Sequence, residues 1–445
     1  MAKAPQPKAS QSKASKPKAS ERPVYIVDGA RTPFIKAREA PGPFTPVDLA
    51  VEAGRPLLAR QPFEGADFDE VILGCVNAHP DEVNPGRIAG LRLGLGTAVP
   101  GWTVQRNCGS GQQALDSAFR AIAEGRADLI MAGGTEALSH APLLFSTEAA
   151  GWFGGMYSAK SVQQRLGAIG RFRPGYLKPS LAILRGLTDP VVKLNMGQTA
   201  EILAHRFGIT RAEADAYAVE SHKRLAAAHA EGRLPEFYPM IARNGKVYDH
   251  DDGVRGDNSV EHLAKLKPSF ERPFGQVTAG NSSQITDGAC WTILASEEMV
   301  KRHDLKPLAR IVDCVWSGLD PSIMGLGPVL ASTELLQRHG LTRGDIGAWE
   351  FNEAFAAQVL ACLNAWQDKD FCRDVLGLDE PFGAIDRDIM NVDGGAISLG
   401  HPVGTSGARI TLHAAHVMRR LGAKYGVATE CVGGGMGGAM LLELA

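Results

Sequence analysis

Long apolar runs are missing from this 445-residue chain. None approaches the ~20 residues that cross a bilayer, so no membrane-spanning helix is expected. An excess of one charge is missing too: 47 Lys and Arg face 49 Asp and Glu, a net charge of −2. That balance gives no global reason to expect a nucleic-acid partner. Paired cysteines are also lacking. Cys75, Cys108, Cys290, Cys314, Cys362, Cys372 and Cys431 are scattered, odd in number and form no Cys-x-x-Cys. A disulfide framework and a structural zinc site are therefore not expected, and no metal is assigned. A reducing cytoplasm suits such thiols better. Acidic residues are absent from Met1 to Ser20, which repeats Lys-Ala-Ser with Pro and Gln. The stretch has no apolar core for a secretory signal, and neither Arg nor an amphipathic face for a mitochondrial presequence. Residues 1–21 read as a disordered basic tail.

Glycine and apolar residues are abundant: 51 glycines and 44% hydrophobic residues, enough for two or three domains with sizeable cores. Arg22-Pro-Val-Tyr-Ile-Val-Asp, Asp69-Glu-Val-Ile-Leu-Gly and Asp128-Leu-Ile-Met-Ala read as strands separated by helical periodicity, an α/β pattern. One order of elements occurs twice. Ser110-Gly111 opens a helix ending near Gly125, then come a strand and Gly133-Gly134. Ser406-Gly407 opens a helix ending near Gly422, then come the strand Gly426 to Cys431 and Gly433-Gly434-Gly435. Two related α/β halves explain the repeat. The expected division is an N-terminal half over 22–140 completed by about 281–307, an inserted loop subdomain over 141–280, and a C-terminal half over 308–445. The front of the insertion is rich in Gly, aromatic and basic residues (Gly151-Trp-Phe-Gly-Gly-Met-Tyr, Gly170-Arg-Phe-Arg-Pro-Gly-Tyr). Its later part is helical, with Thr210 and Glu213 spaced as a capping box. A long insertion of this kind is a candidate lid or substrate-binding element.

Four segments carry candidate chemistry. In Asn107-Cys-Gly-Ser-Gly, Cys108 falls where a strand ends and a helix begins. Free N–H groups and the helix dipole there favour a thiolate, and the glycines leave room for substrate. In Gly400-His-Pro-Val-Gly-Thr-Ser-Gly, His401 sits in a glycine-rich loop at the comparable place of the second half. It can take a thiol proton or donate to an oxyanion. In Trp349-Glu-Phe-Asn-Glu-Ala-Phe-Ala, Asn352 reads either as the N-cap of a helix or as an amide that holds an oxyanion water or orients the histidine. In Glu430-Cys-Val-Gly-Gly-Gly-Met-Gly-Gly, Cys431 enters a glycine turn. Gly433, Gly435 and Gly438 match Gly-x-Gly-x-x-Gly, but only a short apolar strand and the chain end follow, so a dinucleotide site is rejected.

These four blocks, in this order, resemble the thiolase family. Asn195-Met-Gly-Gln-Thr-Ala-Glu and Gln276-Val-Thr-Ala-Gly-Asn-Ser-Ser extend the resemblance, which covers Pro23 to the C-terminus. It implies duplicated α/β halves in a layered α-β-α-β-α core. It implies ping-pong acyl transfer between coenzyme A thioesters, without a permanently bound cofactor. Cys108 would carry the acyl group and His401 would activate it. Cys431 would move the α-proton, and Asn352 would hold a water on the enolate or thioester oxygen. The N–H groups of Cys108 and Gly433 would face the acyl oxygen. Coenzyme A contacts carry over to Met196, Arg255, Ala279, Ser283, Ala354 and Phe355. The long stretches Ser139–Asn195 and Phe355–Gly394 resemble β-subunits of fatty-acid oxidation complexes and favour thiolysis of 3-ketoacyl-CoA. Asn352 is instead the pattern of acetoacetyl-CoA enzymes, so condensation of two acetyl-CoA is the alternative. A decarboxylating ketosynthase is disfavoured by Cys431, and a non-catalytic lipid carrier by the retention of all four blocks. The resemblance also implies a homodimer or homotetramer, and a 3-hydroxyacyl-CoA dehydrogenase/enoyl-CoA hydratase subunit as a candidate partner.

Overall fold

The computed structural model describes residues 22–38 and 40–445. The basic tail read over residues 1–21 lies outside the described residues. The chain runs β1 (Val24–Arg31), α1 (Pro46–Leu58), β2 (Glu70–Gly74), α2 (Pro85–Arg92), β3 (Gly101–Val104), α3 (Ser110–Ala123) and β4 (Leu129–Ala137). After the inserted helices α4 (Met196–Arg206) and α5 (Arg211–Ala230), β5 (Thr286–Ser296) completes this half. The second half is β6 (Ala309–Gly318), α6 (Gly327–Arg338), β7 (Ile346–Phe351), α7 (Ala356–Gln367), α8 (Ser406–Leu421), β8 (Tyr425–Val432) and β9 (Met436–Leu444).

The duplication reaches further than the helix-and-strand repeat visible in the sequence. The first half orders its strands β3-β2-β4-β5-β1, and the second β7-β8-β9-β6. In each half a parallel pair (β2 with β4, β7 with β8) is followed by two antiparallel pairs, and in the first half β3 adds a further parallel pairing with β2. Where the second half lacks an equivalent of β3, a single parallel bridge, Trp349 to Met390, holds that place. The two sheets are joined edge to edge: Val24, Tyr25 and Ile26 of β1 pair antiparallel with Ile311, Arg310 and Ala309 of β6.

Helices form three layers around these strands. α3 and α8 pack against each other in the middle. Their apolar faces (Leu115, Ala118 and Ile122; Ile410, Ala414 and Val417) share one core with both sheets. α1 and α2 cover the outer face of the first half, and α6 and α7 that of the second. Each fully buried aliphatic side chain in these cores contributes roughly 2 kcal/mol. The central helices approach closely because glycine sits where they cross. A Cβ at Gly111 would lie 2.8 Å from Ala408 N, and one at Gly407 2.6 Å from Gln112 N. Backbone on both sides leaves no room to relax. Gly407→Ala is expected to destabilise the protein by about 1–3 kcal/mol, read as a lower urea midpoint with unchanged slope.

Two local expectations change. Gly133-Gly134 does not end the strand; β4 runs through to Ala137. The glycines are needed inside it, because a Cβ at Gly133 would strike the Cys290 carbonyl and one at Gly134 the Gly404 carbonyl. The front of the insertion is not all loop: Thr147–Ser158 and Val162–Ile169 are helices with serine caps. The later part packs on the second half. The capping box of Thr210 and Glu213 starts α5, and Tyr217 and Ser221 of α5 donate to the Glu353 carboxylate at 2.9 and 2.7 Å.

Candidate functional site

Both central helices begin at the seam between the halves, and the loops that lead into them meet there. α3 starts at Ser110, with Cys108 two residues before it and half-buried. Asn107 adopts a left-handed φ of 46°. The Ser110 hydroxyl donates to the Asn107 carbonyl and accepts from Arg106 N–H at 2.7 and 2.8 Å. Asn107 Nδ2 donates to the Gly433 carbonyl at 2.8 Å, tying this loop to the glycine turn of the other half. That turn connects β8 to β9 through Gly434 and Gly435 at φ of 89° and 79°, a conformation other residues avoid. The N–H groups of Gly433 and of Cys108 itself face the thiol.

The expected thiolate is not what this environment favours. Burial, with a contribution from the Glu430 charge, pushes the Cys108 thiol up to about 11, although the two N–H groups pull the other way. The helix terminus is outweighed by desolvation once the second half closes over it. Cys431, near the end of β8, is buried and also shifted up, first by desolvation and then by Cys108. The two thiols therefore feel each other and disfavour carrying two negative charges together. Cys431 belongs to a small apolar cluster with Met324 and Ala354, flanked by Met196 and Phe355. A Cβ on Gly433 would lie 3.4 Å from Met196 Sδ.

His401 follows Gly400, whose φ is 112° and whose Cβ would run into the Thr286 side chain. The imidazole is buried. Its Nδ1 lies 2.6 Å from Ser406 Oγ, and that hydroxyl donates to the Pro402 carbonyl at 3.3 Å. Ser406 therefore accepts the Nδ1 proton, and Nε2 keeps a free lone pair. Asn352 Nδ2 stands 3.4 Å from Nε2. Desolvation and the nearby Arg409 lower the imidazole to about 4, so it is neutral at pH 7. Glu136, which burial raises to about 7, accepts N–H bonds from Val76, Asn77 and Gly404. It anchors the His401 loop to the first half.

Asn352 is not an N-cap. α7 begins at Ala356 with Phe355 at its cap position. The residues between are drawn into another pairing: Ser283 N–H donates to the Ala354 carbonyl and Ala356 N–H to Asn281, at 3.0 and 2.9 Å. Asn352 is thus left facing His401. Its Oδ1 is buried and has no hydrogen-bond partner among the described residues, which suits an ordered water.

The carried-over coenzyme A positions divide into two groups. Met196, Ala354 and Phe355 line the wall beside Cys431. Ser283 pairs with that wall, and Ala279 is exposed on the same loop, which Glu201 holds by accepting from Gln276 and Val277 N–H. Arg255 follows the segment whose Gly253 carbonyl accepts from Nε2 of Gln284, the neighbour of Ser283, at 3.1 Å. It is exposed, its N–H donates to His222 Nδ1 at 3.2 Å, and it forms no ion pair among the described residues. Ser406, Asn107 and Glu136 join the site although the sequence motifs give them no role there. Ser406 and Asn107 stand inside quoted blocks, but their partners are distant in sequence.

Two thiols from the two halves thus meet, and Ala354 beside Cys431 follows closely on the Asn352 amide that faces the His401 imidazole. The family models "Thiolase, N-terminal domain" and "Thiolase, C-terminal domain" match residues 24–298 and 305–444. The chain belongs to the thiolase family. Among the relatives of this thiolase is 3-oxoadipyl-CoA/3-oxo-5,6-dehydrosuberyl-CoA thiolase of Escherichia coli (strain K12). It is 40% identical over 429 residues, 95% of this chain and 99% of that protein. The mitochondrial trifunctional enzyme subunit beta of Homo sapiens is 36% identical over 423 residues, 95% of this chain and 88% of that protein. The crystal structure of human mitochondrial 3-ketoacyl-CoA thiolase in complex with CoA matches with a TM-score of 0.81 and 36% identity. It covers 95% of this chain and 98% of that one.

Proposed function

We propose that this thiolase cleaves 3-ketoacyl-CoA with coenzyme A, giving acetyl-CoA and a shortened acyl-CoA. The observation that carries the proposal is a pair of coupled thiols, Cys108 and Cys431, linked through Ala354 to the segment whose buried Asn352 amide faces a neutral imidazole. Cys108 Sγ attacks the 3-keto carbon while its proton passes to His401 Nε2. The C2–C3 bond then breaks, and its electron pair becomes the enolate of acetyl-CoA. His401 Nε2–H and a water on Asn352 hold the enolate oxygen. Cys431 protonates C2, and acetyl-CoA leaves. The Cys431 thiolate next takes the proton of an incoming coenzyme A thiol, whose sulfur attacks the Cys108 thioester. The N–H groups of Cys108 and Gly433 hold that oxyanion; as it collapses the shortened acyl chain stays on coenzyme A, and the departing Cys108 thiolate takes back the proton held on His401 Nε2. The charge coupling between the thiols supports this alternation, because one negative charge passes between them.

Incubation with acetyl-CoA followed by mass spectrometry of the Cys108 peptide tests the acyl-enzyme; absence of an acetyl adduct overturns it. Thiolysis rates from four to about sixteen carbons assign the chain length. The reading further includes a cytoplasmic homodimer or homotetramer and a 3-hydroxyacyl-CoA dehydrogenase partner. Light scattering and co-purification test these.

The protonation states predict the pH dependence of acetylation. His401 loses its role as base only as pH falls through about 4, and Cys108 stays a thiol until about 11. Glu136 titrates near about 7 and affects only the lower range. The single-turnover rate of Cys108 acetylation is therefore expected to change less than about twofold between about pH 7.5 and 9.5. A tenfold rise per pH unit across that window would mean that free thiolate, not imidazole assistance, sets the rate.

A further inference from the structure

A buried ion pair behind the site has no part in the steps above. Arg409 of α8 and Glu350 of β7 are both buried, and Arg409 Nη1 donates to Glu350 Oε2 at 3.1 Å. Taking a cation and an anion out of water is costly, and apolar packing often stabilises such a place as well. The pair joins the two elements that support His401 and Asn352. Arg409 stands one turn after Ser406, and residues three apart share a helix face. Ser406 Oγ lies 2.6 Å from His401 Nδ1. Glu350 stands two residues before Asn352, and side chains alternate along a strand. In β7, Ala348 lies in the central core with α8, whereas Trp349 and Phe351 lie in the outer core with α7. Glu350 therefore faces α8. Asn352 N–H still donates to the Thr429 carbonyl of β8 at 2.9 Å, so the strand pairing continues one residue further. Its Nδ2 stands 3.4 Å from His401 Nε2. A closed ring results, from His401 through Ser406, Arg409, Glu350 and Asn352 back to His401.

Little else in the ring fixes the amide. Asn352 makes no other side-chain hydrogen bond among the described residues, so its backbone decides where it stands. Ala348, one step back on the same face of β7, presents only a methyl group to α8. The long side chains of Arg409 and Glu350 then hold β7 and α8 at their separation here. The pair is joined by one hydrogen bond, because Arg409 Nε and Nη2 have no partner among the described residues. Arg409 also helps to keep the imidazole neutral.

We infer that Arg409 and Glu350 are positioning residues: their ion pair sets the spacing of His401 and Asn352, the two groups that hold the enolate oxygen. This rests on the thiolysis proposed for the site. Arg409→Met combined with Glu350→Leu removes both charges and leaves apolar side chains in their place, so the full-length protein should stay folded. Its thiolysis kcat is expected to fall about a hundredfold, with KM changed less than about threefold. Arg409→Lys keeps a cation that can make the single bond, and is expected to stay within about tenfold of the parent. A role in packing alone would leave the apolar pair as active as the lysine variant. Unchanged thermal unfolding shows that the apolar pair is folded. If it is not, Glu350→Asp keeps the charge and withdraws the carboxylate by one methylene. Its kcat is then expected to fall about tenfold at unchanged KM. The inference is overturned by a loss below about tenfold in the folded apolar pair, by a loss in Arg409→Lys as large as in that pair, or by an unchanged kcat in Glu350→Asp. A parent protein that forms no acetyl adduct on Cys108 overturns the thiolysis proposal and this inference with it. A parent that is acetylated and cleaves substrate, matched by the folded apolar pair, overturns this inference alone.

Discussion

Cys108→Ala is expected to lower thiolysis by about four orders of magnitude or more and to abolish the acetyl adduct. The expectation rests on what the substitution leaves in place. The N–H groups of residue 108 and Gly433 remain, as does the Asn107 bond to the Gly433 carbonyl. Cys108 is only half-buried and lies outside the three large cores, so loss of its sulfur leaves no large cavity. Substrate should still bind, with KM changed little against the collapse of kcat. Cys108→Ser sharpens the test. Its hydroxyl fits the same space, but alkoxide is a far poorer leaving group than thiolate, so the second half-reaction stalls even if a trace of ester forms. A Cys108→Ala protein with undiminished thiolysis would remove the acyl-enzyme from the mechanism and, with it, the assignment of His401 as its base.

The blocks that could be read from sequence were those whose meaning is local. Cys108 was placed before a helix because β3 and α3 have their own periodicities, and the glycine turn after Cys431 needs only its own backbone. Readings failed where a partner came from far along the chain. Of the two readings of Asn352, the one that fails is the cap, which rests only on its place after a strand. Pairing of Ala354 and Ala356 with the 281–283 segment delays the helix and turns the amide toward His401. The Cys108 thiol looked activated from its own helix, whereas burial against the second half raises it. Gly133 and Gly134 read as lying beyond the strand because the backbones they accommodate, at Cys290 and Gly404, belong to distant segments. The repeat was legible at α3 and α8, where both copies keep Ser-Gly. It was silent in the outer layers, where strand order and not residue identity is preserved.

Cys431→Ala should separate the two kinds of proton transfer that the thiolase reaction needs. Acetylation of Cys108 by acetyl-CoA expels a coenzyme A thiolate, which leaves readily near neutral pH with little assistance. The adduct should therefore still form in the variant. Cleavage and formation of the C2–C3 bond require a proton at a thioester α-carbon, a much weaker acid, and should fall about a thousandfold. The surroundings of Cys431 fit that role. Its neighbours Met324, Ala354, Met196 and Phe355 are apolar, and burial holds the thiol protonated until it is asked to give its proton to carbon. Cys431→Ser keeps the shape while offering a hydroxyl several units less acidic. It should lose nearly as much condensation as alanine, which a role in packing alone would not produce. Equal loss of acetylation and of carbon–carbon chemistry would instead mean that Cys431 supports the shape of the site. Retention of both would pass the α-proton to another group.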